Sequence, residues 1–468
     1  MAPSEGIVPE NQKLAKVVPI FKSKSRCEFS NYRPISLLPT LYKILEKVVH
    51  KRIYGFLSIN KMISKCQFGF REKHSTVNAV TTFIIDIIDA FENKTPTLSI
   101  FLDLSKAFDT IDHDILLTKL QFFGIRGIAN LWFKSYLENR TQYVQYNTGL
   151  STKKTIKCGV PQGSVLGPLL FVIYVNDLSH SLNHCKCIQF ADDTTLYLSD
   201  RNLAKLFSNV NEDLYYLTDW FRANKLSLNV GKTNYMLFSR QNFNDLNMRV
   251  SIAGQDIEQV ENFKFLGIIL DSHLTWKHHI TACTATLRKS MWAINKVQNF
   301  VPLEQLKSLY YALVYSRLTY GIVLWGSAYA CHLEPLYRVQ KKIIRIITGS
   351  GVNVHSEPLF KYLSFLKLGD IYRLETAKFT FLYMHQSLPL PLQNIFVMNN
   401  TIHSHETRQS HHLHMIKPRT NIALNSILCK GPSVWNSLNN DLKDKKTIKS
   451  FSSSLRHDIV SGYSFSAI

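Results

Sequence analysis

Apolar residues at Leu41, Ile44, Leu45, Val48, Val49 and Ile53 recur at helical spacing and predict a helix over residues 40–57. A second helix is predicted over 75–91, with Ser75 and Thr76 as N-caps. Residues 99–104 form a short β-like run, and a helix follows through Leu120. Asp109, Asp112 and Asp114 fall in its first turns, where negative charge suits the helix dipole. Residues 188–198 read as two short apolar strands interrupted by Asp192-Asp193. An amphipathic helix is predicted over 203–225, a strand-rich patch broken by Gly231 over 226–238, and a further strand over 263–270. Beyond Asp271 the character changes to helices at 276–297, 303–318 and 333–347, then a tail from Gly351 that is partly helical and ends Ser-rich. The pattern predicts an α+β chain in three parts, 1–271, 272–350 and 351–468.

Composition narrows the class. With 45% hydrophobic and 12% aromatic residues over 468 positions, the chain reads as globular, with room for more than one domain. Lys and Arg outnumber Asp and Glu by 55 to 34, a net charge of +21 whose self-repulsion a polyanionic partner would relieve. The charges are spread along the whole chain, with no basic amphipathic helix, which favours phosphate backbones over an anionic membrane surface. The longest apolar stretch, 165–175, carries Gly167 and Pro168 and is too short to span a bilayer, and residues 1–21 lack the apolar core of a secretory signal. Eight cysteines are scattered without a disulfide rhythm, so a reduced, intracellular setting and no disulfide-linked partner are expected. Cys185 and Cys187, one residue apart beside His184, are too tightly spaced for a usual chelating pair, and zinc is not expected. The cluster of His403, His405, His411, His412 and His414 reads as a solvated polar segment.

The acids carry the sharpest chemical constraint. Mg²⁺ is a hard cation that takes carboxylate oxygens and keeps positions for water and phosphate. Two such ions, roughly 3.5–4 Å apart, stabilise both the attacking and the leaving oxygens of a nucleotidyl transfer. A carboxylate ending one strand and facing a second at a hairpin tip would provide that site. Asp103 ends one apolar run, and Asp192-Asp193 sit between two others. Taken singly, each acid reads equally as a turn residue or helix cap.

Their company decides between these readings. Phe101-Leu102-Asp103-Leu104-Ser105-Lys106-Ala107-Phe108-Asp109 resembles motif A of reverse transcriptases from LINE-type, non-LTR retrotransposons. The block from Gly159-Val160-Pro161-Gln162-Gly163 through Phe171, running into Asn176-Asp177-Leu178, is similar to their motif B, and Phe190-Ala191-Asp192-Asp193 to their motif C. Asn31-Tyr32-Arg33-Pro34-Ile35-Ser36-Leu37 and Gln67-Phe68-Gly69-Phe70-Arg71 resemble the family's fingers motifs. Lys225 to Asn229 with Gly231-Lys232-Thr233 resembles motif D, and Phe265-Leu266-Gly267-Ile268 the primer grip. Tyr320-Gly321, Leu324-Trp325-Gly326 and Trp435-Asn436-Ser437-Leu438 look like segments that follow the polymerase in jockey- and CR1-like elements. The resemblance covers nearly the whole chain, and the ordered set is far more specific than any one motif.

The resemblance implies a right-hand polymerase with fingers, an antiparallel palm sheet and a helical thumb, plus a C-terminal extension. It implies an RNA-directed DNA polymerase that extends a DNA primer on an RNA template with dNTPs. Two Mg²⁺ ions, or Mn²⁺ as a substitute, would be held by Asp103, Asp192, Asp193 and the carbonyl of Leu104. Phe108 takes the place of the ring that excludes a ribose 2′-hydroxyl. Gln162 and Gly163 would meet the incoming nucleotide and the template. Arg33 would clamp the triphosphate, helped by Lys22 and Lys24, and Lys232 would protonate the leaving pyrophosphate. Lys289, Arg317, Lys341, Lys342 and Arg345 are expected on the duplex channel; for any one of these a charged outer helix face is an equally simple reading.

Members of this family usually carry an endonuclease domain upstream. Here Met1-Ala2-Pro3 stands almost directly before the first fingers motif, so a product truncated upstream of the polymerase, without its own nicking activity, is expected. The competing readings are a catalytically silent nucleic-acid-binding remnant and an RNA-dependent RNA polymerase; Phe108 speaks against the second. Nuclear and cytoplasmic placement is expected from the resemblance alone, since no targeting tract is visible.

Overall fold

The run Thr97–Leu102 is buried at every position, and an uninterrupted apolar run of that length is what a strand covered on both faces requires. It lies inside a five-stranded sheet ordered Glu258–Gln259, Asn234–Phe238, Thr97–Leu102, Asp193–Ser199, Lys186–Phe190. The computed structural model in which this sheet is seen describes residues 6–22, 25–241, 248–402 and 410–463; Lys24, His403 and His405 lie outside the described residues. The chain divides into two compact units that interleave along the sequence. The first takes Met1–His74, Leu98–Tyr235 and Asn244–Gln259, and the second Ser75–Thr97, Met236–Phe243 and Val260–Ile468.

In the first unit, Lys186–Phe190 and Asp193–Ser199 pair antiparallel from Lys186 opposite Tyr197 to Phe190 opposite Asp193. Asp192 is thereby left at the tip of a tight hairpin. Helices His113–Phe122, Gly167–Tyr174 and Leu203–Ala223 belong to the same unit. Seven of the eight residues of Gly167–Tyr174 are buried, each such apolar side chain contributing roughly 1.5–3 kcal/mol. A second sheet pairs Leu14–Phe21 antiparallel with Tyr32–Leu37 and parallel with Thr141–Tyr146. The helix predicted over 40–57 spans Thr40–Ile59.

Two local expectations give way. The helix predicted directly after Leu104 begins only at His113, with Asp112 as its N-cap accepting from the N–H groups of Asp114 and Ile115. Asp109 is therefore not a first-turn residue but part of the preceding turn. The single strand predicted over 263–270 is a hairpin, Asn262–Phe265 with Ile268–Asp271. Leu266 and Gly267 both have positive φ, 45° and 86°, the two-residue turn that reverses a strand most tightly.

In the second unit, Ser75 caps the helix Thr76–Glu92, its side chain accepting from the Asn78 N–H at 3.1 Å. Lys277–Val297 packs against Ala330–Thr348. The Asp271 carboxylate fixes entry into the former by accepting from the N–H groups of Thr275 and Trp276. The predicted helix 303–318 is interrupted by a π-turn at Tyr311–Tyr315. No helix of the described residues is long and apolar enough to cross a membrane.

Candidate active site

Asp103 lies one residue beyond Thr97–Leu102, and Asp193 opens the neighbouring strand of the same sheet. The backbone of Asp103 is tied down by the segment that resembles motif D. Its carbonyl accepts from the Asn229 N–H at 2.8 Å, and its N–H donates to the Thr233 hydroxyl at 3.4 Å. Ser105 donates to the Ser227 carbonyl at 2.9 Å, leaving Leu104 bridged to Leu228 between the two bonds. Lys232 brings its ammonium to 3.6 Å from the Asp103 carboxylate. Both side chains are more than a third exposed, so the pair contributes about 0–1 kcal/mol and leaves Asp103 free to exchange partners.

The hairpin tip is braced from beneath. Ala191 adopts a left-handed conformation, φ 58°, at a cost of roughly 1–2 kcal/mol for a residue with a Cβ. Gln67, fully buried, holds it there: its Oε1 accepts from the Ala191 N–H at 3.2 Å and from the Gly69 N–H at 2.8 Å. Phe68 donates to the Gln189 carbonyl and Gln189 to the Cys66 carbonyl, so residues 66–68 run alongside the hairpin as an extra strand. Gly69 is obligatory, because a Cβ there would meet the Ala191 nitrogen at 2.3 Å.

The Asp193 side chain reaches solvent, yet its carboxyl is pushed up to about 6. Partial loss of hydration contributes most, then the negative charges of Asp192 and Asp103, while Lys22 pulls in the opposite direction. The three acids thus share one electrostatic neighbourhood of like charge, which hard-cation chemistry would neutralise. No three Asp, Glu, His or Cys side chains among the described residues are gathered closely enough to hold a metal ion already. The donor chemistry fits a hard divalent cation; a ready-formed cage is not present.

Around this centre, Phe108 stacks on Phe171 with ring centroids 4.7 Å apart and meets Phe70 edge-on at 6.3 Å. Gln162 is pinned at both ends. Its carbonyl accepts from the Ser36 N–H at 2.7 Å, and its Nε2 donates to the Asp109 carboxylate at 2.9 Å. Burial pushes the Asp109 carboxyl up, against the pull of Gln162 and Lys106. Gly163, φ 121°, passes so close to Ser36 that a Cβ would lie 2.5 Å from its carbonyl oxygen. Arg33 is exposed on Tyr32–Leu37.

In the second unit, Lys289, Arg317 and Lys342 are exposed. Lys341 instead lies over the Tyr337 ring at 4.3 Å and 3.7 Å from Glu334, and Arg345 donates to the Val354 carbonyl at 2.8 Å. Each of these two already serves local structure. The turn resembling the primer grip is held by Tyr320, whose hydroxyl donates to the Leu266 carbonyl at 2.5 Å and lies 3.0 Å from the Thr76 hydroxyl.

Sequence reasoning missed the supporting residues Gln67, Asp109, Asn229, Thr233 and Tyr320. Each stood inside a quoted motif, but its partner lies between 53 and 130 residues away for Asp109, Thr233, Tyr320 with Leu266, and Gln67 with Ala191. A lone sequence carries no mark of such partners.

Against known proteins, residues 21–270 match the family described as "Reverse transcriptase (RNA-dependent DNA polymerase)". The chain is 31% identical over 377 residues to the RNA-directed DNA polymerase from mobile element jockey of Drosophila melanogaster, covering 78% of this chain and 41% of that protein. It is 29% identical over 377 residues to a probable RNA-directed DNA polymerase from transposon X-element of the same fly, covering 77% and 40%. It thus spans about two fifths of the length of these curated relatives. A telomerase structure from Candida tropicalis is a remote likeness, 12% identical with a TM-score of 0.40, covering 77% of this chain and 64% of that one. With a family match over more than half its length, and relatives drawn from non-LTR retrotransposons, this chain belongs to the reverse transcriptase family and has its mixed α/β, right-hand architecture.

Proposed function

We propose that this chain acts as the RNA-directed DNA polymerase of a non-LTR retrotransposon, extending a DNA 3′-hydroxyl on an RNA template with dNTPs. The observation that carries the reading is the placing of Asp103 and Asp193 on neighbouring strands of one sheet, with Asp192 at the adjoining hairpin tip. Asp103, Asp192 and Asp193 would hold divalent cations, Mg²⁺ by preference and Mn²⁺ as a substitute, with the Leu104 carbonyl completing a shell. When bound, such ions supply charge stabilisation for the attacking and leaving oxygens. The remaining work falls to side chains. Lys232, beside Asp103, donates a proton toward the leaving pyrophosphate; Arg33 binds triphosphate oxygens through its planar fork. Phe108, backed by Phe171, is rigid enough to exclude a 2′-hydroxyl, and Gln162, anchored on Asp109, meets the base pair being formed. Lys289, Arg317 and Lys342 offer free charge to the duplex backbone; Lys341 and Arg345 add to it from positions also used within the fold. The linear parts 1–271, 272–350 and 351–468 serve as fingers with palm, thumb and extension in this reading, and the work is done where RNA and dNTPs meet, in nucleus or cytoplasm.

The silent-binder reading draws on one observation, that no three ligand side chains are yet gathered among the described residues. Primer extension separates the two. The wild-type chain extends a DNA primer on RNA with dNTPs and Mg²⁺, and Asp192→Ala abolishes extension while RNA binding persists. Extension equal in the two proteins, or absent from both, overturns the polymerase reading.

A further inference from the structure

A second basic site lies in the second unit, at the C-terminal end of the helix Thr76–Glu92. Lys94, Thr95, Pro96, Ser239, Arg240, Gln241 and Arg419 line a cleft of about 350 Å³, wide enough for a short stretch of phosphodiester backbone. Three cations face it from three separate parts of the chain, and no acid is among its lining residues. The nearest carboxylate, Glu92, is occupied: it accepts from the backbone N–H groups of Arg419 at 2.5 Å and of Thr420 at 2.9 Å. The walls are fixed. Thr95 donates from its N–H and hydroxyl to the Ala90 carbonyl, at 2.9 and 3.0 Å. The Ser239 carbonyl is bonded to His273, and the Gln241 N–H donates to the Ser239 hydroxyl at 3.0 Å.

A simpler reading assigns these charges to the negative end of the helix dipole. It suits Arg419, whose guanidinium donates to the Phe91 and Glu92 carbonyls. It does not account for Arg240, which lies just past the end of the strand Asn234–Phe238, in no helix. Neither Lys94 nor Arg240 makes an ion pair among the described residues, and both are exposed. Two unneutralised cations on rigid walls, beside a third already oriented by its carbonyl partners, are what a phosphate backbone requires.

We propose that this cleft binds the phosphate backbone of single-stranded RNA, so that Arg419 of the C-terminal extension acts with Lys94 and Arg240 as a nucleic-acid contact remote in sequence from the acid centre. Phe91, the one aromatic lining residue, is buried, so bases find no stacking platform and the contact is blind to sequence. The partner class rests on the reading of the chain as a nucleic-acid enzyme, while the contact itself requires no catalysis.

The test is a fluorescence-anisotropy titration of the full chain with labelled single-stranded RNA across a range of salt concentrations. Wild type is compared with Lys94→Ala/Arg240→Ala, two exposed changes that leave the Arg419 cap intact. Losing two phosphate contacts lowers the magnitude of the log affinity against log salt slope by about 1.4, equally for mixed and homopolymeric RNA. Unchanged affinity and slope overturn the proposal. So does a loss confined to duplex, or a site that inorganic phosphate or pyrophosphate fills, as seen by thermal shift, while RNA binding stays unaltered in the double variant. Asp192→Ala retains the wild-type slope; if wild type fails to extend primers but the double variant still shows the slope change, the polymerase reading falls and this one stands.

Discussion

Gly69→Ala places a wedge beneath the hairpin that carries Asp192 and Asp193. The added Cβ would sit 2.3 Å from the Ala191 nitrogen, against the 3.4 Å at which ordinary contact begins, a shortfall of 3.4 − 2.3 = 1.1 Å. Phe190 and Ala191 backbone atoms follow at 3.0 and 3.1 Å, so no flexible side chain can turn aside to make room. Gly69 itself is not in the left-handed region, which makes the penalty one of space and not of backbone conformation. Either the 66–69 strand retreats, losing the Gln67 bonds to Gly69 and Ala191, or the tip moves by about 1 Å. Overpacking of this kind costs about 1–3 kcal/mol. Moving reacting groups by ~1 Å costs about 10²-fold in rate. The assay is single-turnover primer extension at saturating dNTP, beside thermal unfolding of the same preparation. Gly55→Ala is the control: nothing lies within 4 Å of its added Cβ in the helix Thr40–Ile59, and it is expected to gain about 0.5–1 kcal/mol. A Gly69→Ala protein that extends at the wild-type rate per folded molecule refutes the claim that this contact sets the position of the tip.

The other predictions concern single contacts. Phe108→Val removes the ring stacked on Phe171 and is expected to raise rNTP incorporation relative to dNTP by at least about tenfold, measured by competitive incorporation, while dNTP extension falls only modestly. Asp109→Ala frees the Gln162 side chain and is expected to raise the apparent KM for dNTP more than it lowers kcat; an effect on kcat alone would contradict the anchoring role. Burial raises the Glu92 carboxyl, but the bonds from Thr420 and Arg419 outweigh it and hold the group below the usual range. Its contribution is accordingly present above the unfolded carboxyl value of 4.5 and lost as pH falls through the depressed folded one. Glu92→Ala should cost about 1–3 kcal/mol at pH 7, by denaturant unfolding, and the gap to wild type should close toward acid pH.

The periodic segments were legible because their cause is local. The helices at Thr40–Ile59 and Leu203–Ala223, and the strands flanking Asp192-Asp193, follow from spacing that any apolar face must keep to stay out of water. The acids were legible for a different reason: metal chemistry restricts the residue types, and ordered motifs restrict their positions. The hairpin at Asn262–Asp271 was read as one strand because Leu266 is not a residue that advertises a positive φ; its turn is held by Tyr320, 54 residues on. Asp109 was read as a dipole partner because its charge suits a helix start, whereas a buried contact with Gln162 captures it.

The chain by itself thus determined which segments are helix or strand, which acids can carry phosphoryl chemistry, and that the surface favours polyanions. Those properties reside in neighbours a few residues apart, or in charge that simply adds. Only the tertiary structure decided that Gln67 props the tip, that Thr233 and Asn229 hold Asp103, and that Lys94, Arg240 and Arg419 meet in one cleft. Such pairings are set by how sheets and helices stack, and a hydrogen bond's energy depends on distances that sequence separation does not encode.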